Sequence, residues 1–321
     1  MFERSYRIFI AAIVLIGLVS VAAAQRNPTM PTQVSDSDKE QLYARFVENK
    51  KVPSSDRQRL AYEDAKDYVR RFGNDVDPHL AEVRRFVVEY ERVMKNYELH
   101  EAYAAKKYAK AFEIGRKTLK KEPENFYVLA TLTEAGYDNA QTGDVTLNEE
   151  TIGYAKSALA IVESGKLTSF APFAMIEDAR GVLNFALGWF LRAQSPVEAA
   201  DAFSQAINSG GRFKDDPLIY NLLGIAILKG EYVQVAADYN TKFGNKPPSP
   251  EQQAAWQRVV KLGERVIDAY ARAVALSTRP EQAEGKAKML AHLTSLYKHF
   301  HNNSDAGLSD LIATVLSKPL P

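Results

Sequence analysis

Residues 185–207 read FALGWFLRAQSPVEAADAFSQAI, and residues 221–243 read NLLGIAILKGEYVQVAADYNTKF. Aligned on Leu187-Gly188 and Leu223-Gly224, they set Ala199, Phe203, Ala206 and Ile207 opposite Val235, Tyr239, Lys242 and Phe243, 36 residues further on. Spacing of i, i+4, i+7 and i+8 marks one face of a helix. A small residue on that face lets a neighbouring helix cross closely, and the aromatic one turn later fills the space beside it. Lys242 is the one residue that breaks the pattern.

The same face recurs at Ala61, Ala65, Tyr68 and Val69, at Ala111, Gly115, Thr118 and Leu119, at Ala155, Leu159 and Val162, and at Val266, Tyr270, Ala273 and Val274. The period is irregular, between 31 and 50 residues. Punctuation supports helices throughout. Ser37 with Glu40, Ser55 with Gln58, Ser195 with Glu198 and Ser249 with Gln252 have capping-box spacing. Pro196 and Pro250 fall at a first helical position, and Asp77-Pro78 and Asp216-Pro217 repeat the arrangement. No stretch alternates with period two between hairpin turns, so the expectation is an all-α chain of about thirteen helices.

These residues resemble the tetratricopeptide repeat (TPR) family, whose 34-residue helix–turn–helix unit carries Leu-Gly in its first helix and Ala, an aromatic and Ala-Leu in its second. Tyr220, Leu223, Gly224 and Ile227 match the first helix, Gly230-Glu231-Tyr232 looks like the turn, and Pro123 falls at the closing proline. The resemblance covers most of residues 54–300 and is strongest over 180–243. It implies a right-handed α-solenoid of TPR-like repeats over residues 36–321, with residues 305–317 as a C-terminal capping helix. The early units lack the Leu-Gly pair, and residues 247–282 hold one long helix in place of a pair.

Ahead of the repeats, Arg4 and Arg7 precede uncharged, mostly apolar residues 8–24, with Ala22 and Ala24 forming an A-x-A site before Gln25. This pattern predicts a signal peptide over residues 1–24, with an uncleaved membrane anchor as the alternative. Residues 25–35, with Pro28 and Pro31, read as a flexible linker. Export to a bacterial periplasm or cell envelope follows, or secretion in the alternative. The apolar segments 182–191 and 218–228 are too short to span a bilayer and read as central, buried helices.

With 46% apolar and 25% charged residues, the chain has ample material for a core. Its lack of cysteine excludes disulfides, thiolate zinc sites and cysteine nucleophiles. A net charge of +1 argues against nucleic acid as a partner. His292, His299 and His301 lack the spacing of a metal-binding helix. Residues 138–149 match an EF-hand loop at Asp138, Gly143, Val145 and Glu149 but put Ala140 and Thr142 where ligands are needed, so a polar turn is expected. Lys106, Lys110, Lys117 and Lys121 form a basic stripe that reads as solvated surface. No phosphate loop, nucleophile elbow or paired catalytic carboxylates occur. The expectation is a non-enzymatic scaffold or adaptor without cofactor or metal, which binds a protein or peptide on its concave face. A membrane-tethered spacer is the rival reading.

In TPR solenoids the binding face is lined by first-helix residues that point away from the Leu-Gly packing positions. Carried onto this chain, that resemblance implies Phe185, Trp189 and Arg192 in one unit and Asn221, Ile225 and Lys229 in the next. Tryptophan and arginine suit interface hot spots, and an asparagine side chain can donate to and accept from a peptide backbone.

Overall fold

The computed structural model describes residues 36–321; the expected signal peptide (1–24) and linker (25–35) lie outside the described residues. All described regular structure is helical. The chain divides into two compact units, one ending at Tyr97 and one running from Glu98 to Pro321.

In the first unit, α1 (Asp36–Lys50) and α2 (Ser55–Phe72) pack on each other and on the start of α3 (Leu80–Ala104). Leu42, Phe46, Ala61, Ala65, Tyr68, Phe72, Leu80 and Val83 form the core, so the stripe read at Ala61 faces inward. The cap of α2 is Ser54, one residue earlier than the spacing suggested, and its hydroxyl accepts from the Arg57 amide. Between α2 and α3 the Asp77 carboxylate collects the Tyr68 hydroxyl, the His79 amide at 2.9 Å and the Lys39 ammonium at 3.2 Å. Burial works against its charge, but these three donors outweigh burial and hold its carboxyl below the usual range.

The second unit stacks α4 (Tyr108–Leu119), α5 (Phe126–Gln141), α6 (Asn148–Glu163), α7 (Ile176–Leu191) and α8 (Pro196–Asn208) in chain order. Ala199, Phe203, Ala206 and Ile207 are all buried, as their spacing predicts. A Cβ on Gly188 would lie 2.8 Å from the Phe203 ring, so the missing side chain is what lets α7 approach α8. Gly136 of α5 plays the same part against Thr151 of α6.

The second Leu-Gly copy is used differently. No turn forms at Gly230-Glu231-Tyr232. Instead α9 (Pro217–Ile227) continues through a π-helical turn (Leu228–Tyr232) into α10 (Val233–Phe243) with right-handed helical angles at both joints. Gly230 is buried there because a Cβ would meet Val197 N at 3.0 Å and Pro196 C at 3.2 Å, where the start of α8 crosses. The rod then packs along α11 (Pro250–Leu276). Gly224 meets the Tyr270 ring, Glu231 reaches Arg265 at 3.5 Å and the Tyr239 ring lies tilted against that of Trp256 at 5.2 Å. Partners descend as positions ascend, so the two rods are antiparallel. Val266, Tyr270, Ala273 and Val274 of α11 are buried, whereas Val235 and Tyr239 are half-buried and Lys242 is exposed. The partner of Leu223-Gly224 is therefore the stripe on α11, and of the one on α10 only Phe243 is buried.

After α11, α12 (Ala283–Phe300) runs back along it, with Phe300 against Gly263 and His292 against Tyr270. The expected cap forms α13 (Leu308–Thr314), which packs on α11 through Leu308 and is followed by a turn at Val315–Ser317. Past it, the buried Arg272 of α11 pairs with Asp268 at 2.6 Å and donates to the carbonyls of Lys318 at 2.9 Å and Pro319 at 2.8 Å. Among the described residues no helix is long and apolar enough to cross a membrane.

Candidate functional site

Helix α5 begins with the Asn125 side chain accepting from the Val128 amide, and eleven of its residues are buried among its neighbours. What it leaves open is chemically specific: Tyr127, Glu134, Tyr137 and Asp138 are half-buried, and Gln141 is exposed. Tyr127, Glu134 and Asp138 are seven and four residues apart and so share a face. The Tyr103 hydroxyl donates to Asp138 Oδ2 at 2.9 Å, and burial pushes the Asp138 carboxyl up despite that bond. Glu134 makes no hydrogen bond or ion pair among the described residues, and its Oε2 is buried. Burial pushes its pKa up to about 7, against the opposing pull of the Arg212 guanidinium.

Next to this stripe stands the end of α7. Tyr137 meets Trp189 edge to face at 5.3 Å and Phe185 at 5.6 Å. The Arg192 guanidinium lies 3.7 Å from the Trp189 ring centroid and donates to the Trp189 carbonyl. Desolvation pulls its pKa down, and among the described residues no carboxylate pairs with it. A half-buried arginine on an aromatic face, without a counter-ion, is a common anchor of protein interfaces.

The residues implied by the sequence do not share one place. Trp189 and Arg192 join Tyr137 on this face. Phe185 does not: it is only 4% exposed, wedged among Tyr137, Phe203 and Phe213, and belongs to the core because α8 and the Gly211–Asp215 turn close over it. Asn221 lines a separate cleft of about 580 Å³ with Leu218, Tyr270, Lys288, Met289 and His292. Ile225 is half-buried against the core, and Lys229 is exposed on the π turn.

The remaining sequence candidates resolve locally. Asp138 lies inside α5 in its bond to Tyr103, and Asp144 accepts from the Thr146 amide and hydroxyl, a turn leading into α6. Lys110 and Lys117 both pair with Glu113, at 3.2 and 2.6 Å, and Arg116 pairs with Glu150. His301 stacks on Tyr297 and reaches Glu264 at 3.6 Å. Among the described residues no three metal-ligating side chains converge. Glu134, Tyr137 and Tyr103 were not foreseen. The available signal was two carboxylates, Glu134 and Asp138, set in the small and apolar run TLTEAGYDNA at 131–140.

Comparison with protein-family models, with curated proteins and with solved structures finds no match.

Proposed function

We propose that this chain is an exported, non-enzymatic, degenerate TPR-like solenoid, a scaffold or adaptor that holds a protein or peptide on the face shared by α5 and α7. The observation that carries the reading is Arg192, stacked on Trp189 beside Tyr137 and without a carboxylate partner among the described residues. Keeping such a guanidinium half-desolvated costs stability unless a partner completes it. Consecutive helix packing, with glycines at the crossings of α5 on α6 and α7 on α8, supports the repeat reading. The pattern of residues 1–24 supports export.

The test is a pull-down from the native envelope, followed by titration of whatever co-purifies against purified variants. Arg192→Ala and Trp189→Ala should each weaken that partner by more than about 1 kcal/mol. Unchanged affinity in Arg192→Ala, with an unchanged melting curve, would move the site elsewhere. A chain that retains residues 1–24 in the membrane and captures nothing would favour the tethered spacer.

A further inference from the structure

We propose that the open stripe of α5 binds a cationic side chain, a lysine ammonium or arginine guanidinium, with the Glu134 carboxyl as its counter-ion and Tyr127 and Tyr137 as its aromatic walls. The inference rests on the peptide-binding reading above and names the chemistry that the peptide must bring.

The argument begins with an acceptor that lacks a donor. Two other half-buried carboxylates of the same unit are closed by arginines, Glu150 by Arg116 at 2.6 Å and Asp268 by Arg272 at 2.6 Å. Glu134 is not closed in this way: Arg212 acts on it only from a distance, and among the described residues its Oε2 has no hydrogen-bond partner. A buried carboxyl oxygen without a donor is costly in either protonation state, and the cost disappears when a donor arrives. Rotation about the last side-chain bond lets either oxygen face the open side.

Three ligand chemistries can be compared at this position. An apolar side chain would leave Oε2 orphaned. An anionic one would meet both Glu134 and Asp138, the two carboxylates on this face. A cation gives Glu134 the donor it lacks and gains from the faces of Tyr127 and Tyr137 on the same helix, an attraction that strengthens where water is thin. Arg192 does not block it, since its guanidinium is held over the Trp189 ring and by the Trp189 carbonyl.

The test uses the full-length protein at about pH 8, where Glu134 is ionised, and capped decapeptides alternating alanine with lysine, with norleucine or with glutamate. Spermidine serves as a free amine. Binding is followed by calorimetry. The lysine peptide should bind about tenfold more tightly than the norleucine peptide, a preference worth about 1.4 kcal/mol. Glu134→Gln should abolish that preference while keeping the melting temperature, and Glu134→Asp should keep part of it. Arg192→Ala should weaken lysine and norleucine peptides alike and leave their ratio intact. Equal binding of the two peptides, a preference for glutamate, or a lysine preference that survives Glu134→Gln would overturn the cationic assignment and leave peptide binding standing. Spermidine bound through Glu134 with no peptide bound would keep the cation site and overturn the peptide reading. Silence from every probe would overturn both.

Discussion

Arg272 offers the sharpest test of the packing. Its guanidinium is buried on α11, with Nε 2.6 Å from Asp268 and Nη2 donating to two backbone carbonyls, Lys318 at 2.9 Å and Pro319 at 2.8 Å. Replacing it with methionine keeps much of the volume and removes every donor. Breaking a buried pair costs about 3–5 kcal/mol, because the surviving charge stays desolvated. Here the surviving group is Asp268, whose side chain is 17% exposed, and the 318–319 carbonyls can swing out to water. Both facts pull the figure to the lower end, so Arg272→Met should cost about 3 kcal/mol. The double variant Asp268→Leu/Arg272→Met should recover most of that loss, since a well-packed apolar pair can match a buried ion pair. Urea unfolding followed by tryptophan fluorescence is the assay, as Trp189 and Trp256, the two tryptophans of the chain, both lie in the second unit. A loss below about 1 kcal/mol in the single variant, or a double variant no more stable than the single, would refute the reasoning.

Gly230→Ala should destabilise by about 1–3 kcal/mol despite alanine's better helix propensity, because its Cβ would meet the backbone at Pro196 and Val197; a stabilised protein in thermal melts would contradict the close crossing. Gly136→Ala should cost at least as much by driving a Cβ onto Thr151 Oγ1, 2.6 Å from its Cγ2 and 2.8 Å from its Cβ, and Thr151→Ala in the same chain, which removes the first two atoms and keeps the third, should restore part of it. Additive losses in circular-dichroism melts would speak against that contact. Asp77, with its carboxyl held below the ordinary 3.8, adds stability above that pH and loses it as pH falls towards the native value. Asp77→Asn should therefore lower the melting temperature at neutral pH and remove part of the acid sensitivity below about pH 4; an unchanged acid profile would show that Asp77 is not the group responsible.

Local features were legible because they depend on near neighbours in sequence. Ser249 accepts from the Gln252 amide and Pro250 opens α11, both as the spacing alone indicates. The burial of Ala199, Phe203, Ala206 and Ile207 likewise follows from periodicity, since any partner helix would cover that face. Identity of the partner is another matter. Leu223-Gly224 carries the same two letters as Leu187-Gly188, yet it packs on Tyr270, 46 residues downstream, because no turn sends α10 back. Gly230-Glu231 reads as a turn in sequence because glycine tolerates one, and the crossing of α8 that needs glycine at that point is a long-range contact. Phe185 shows the same limit: the first-helix register places it on the open side, and Phe213 covers it from a turn the repeat pattern does not contain. Glu134 was legible as helix and illegible as a site, since its burial is made by other helices.

The π turn at Leu228–Tyr232 has a bearing on how this chain could have changed length. A π turn closes i to i+5 bonds and so accommodates a residue that the α ladder has no place for. Removing one residue from this stretch would let a regular ladder run on to Phe243, and because the π turn had absorbed that residue, the side chains beyond it would keep their facing. Tyr239 would then stay beside Trp256, and the α10 edge of the antiparallel rods would present the same row of residues. The π turn is therefore the place where this rod can gain or lose a residue without moving its neighbours.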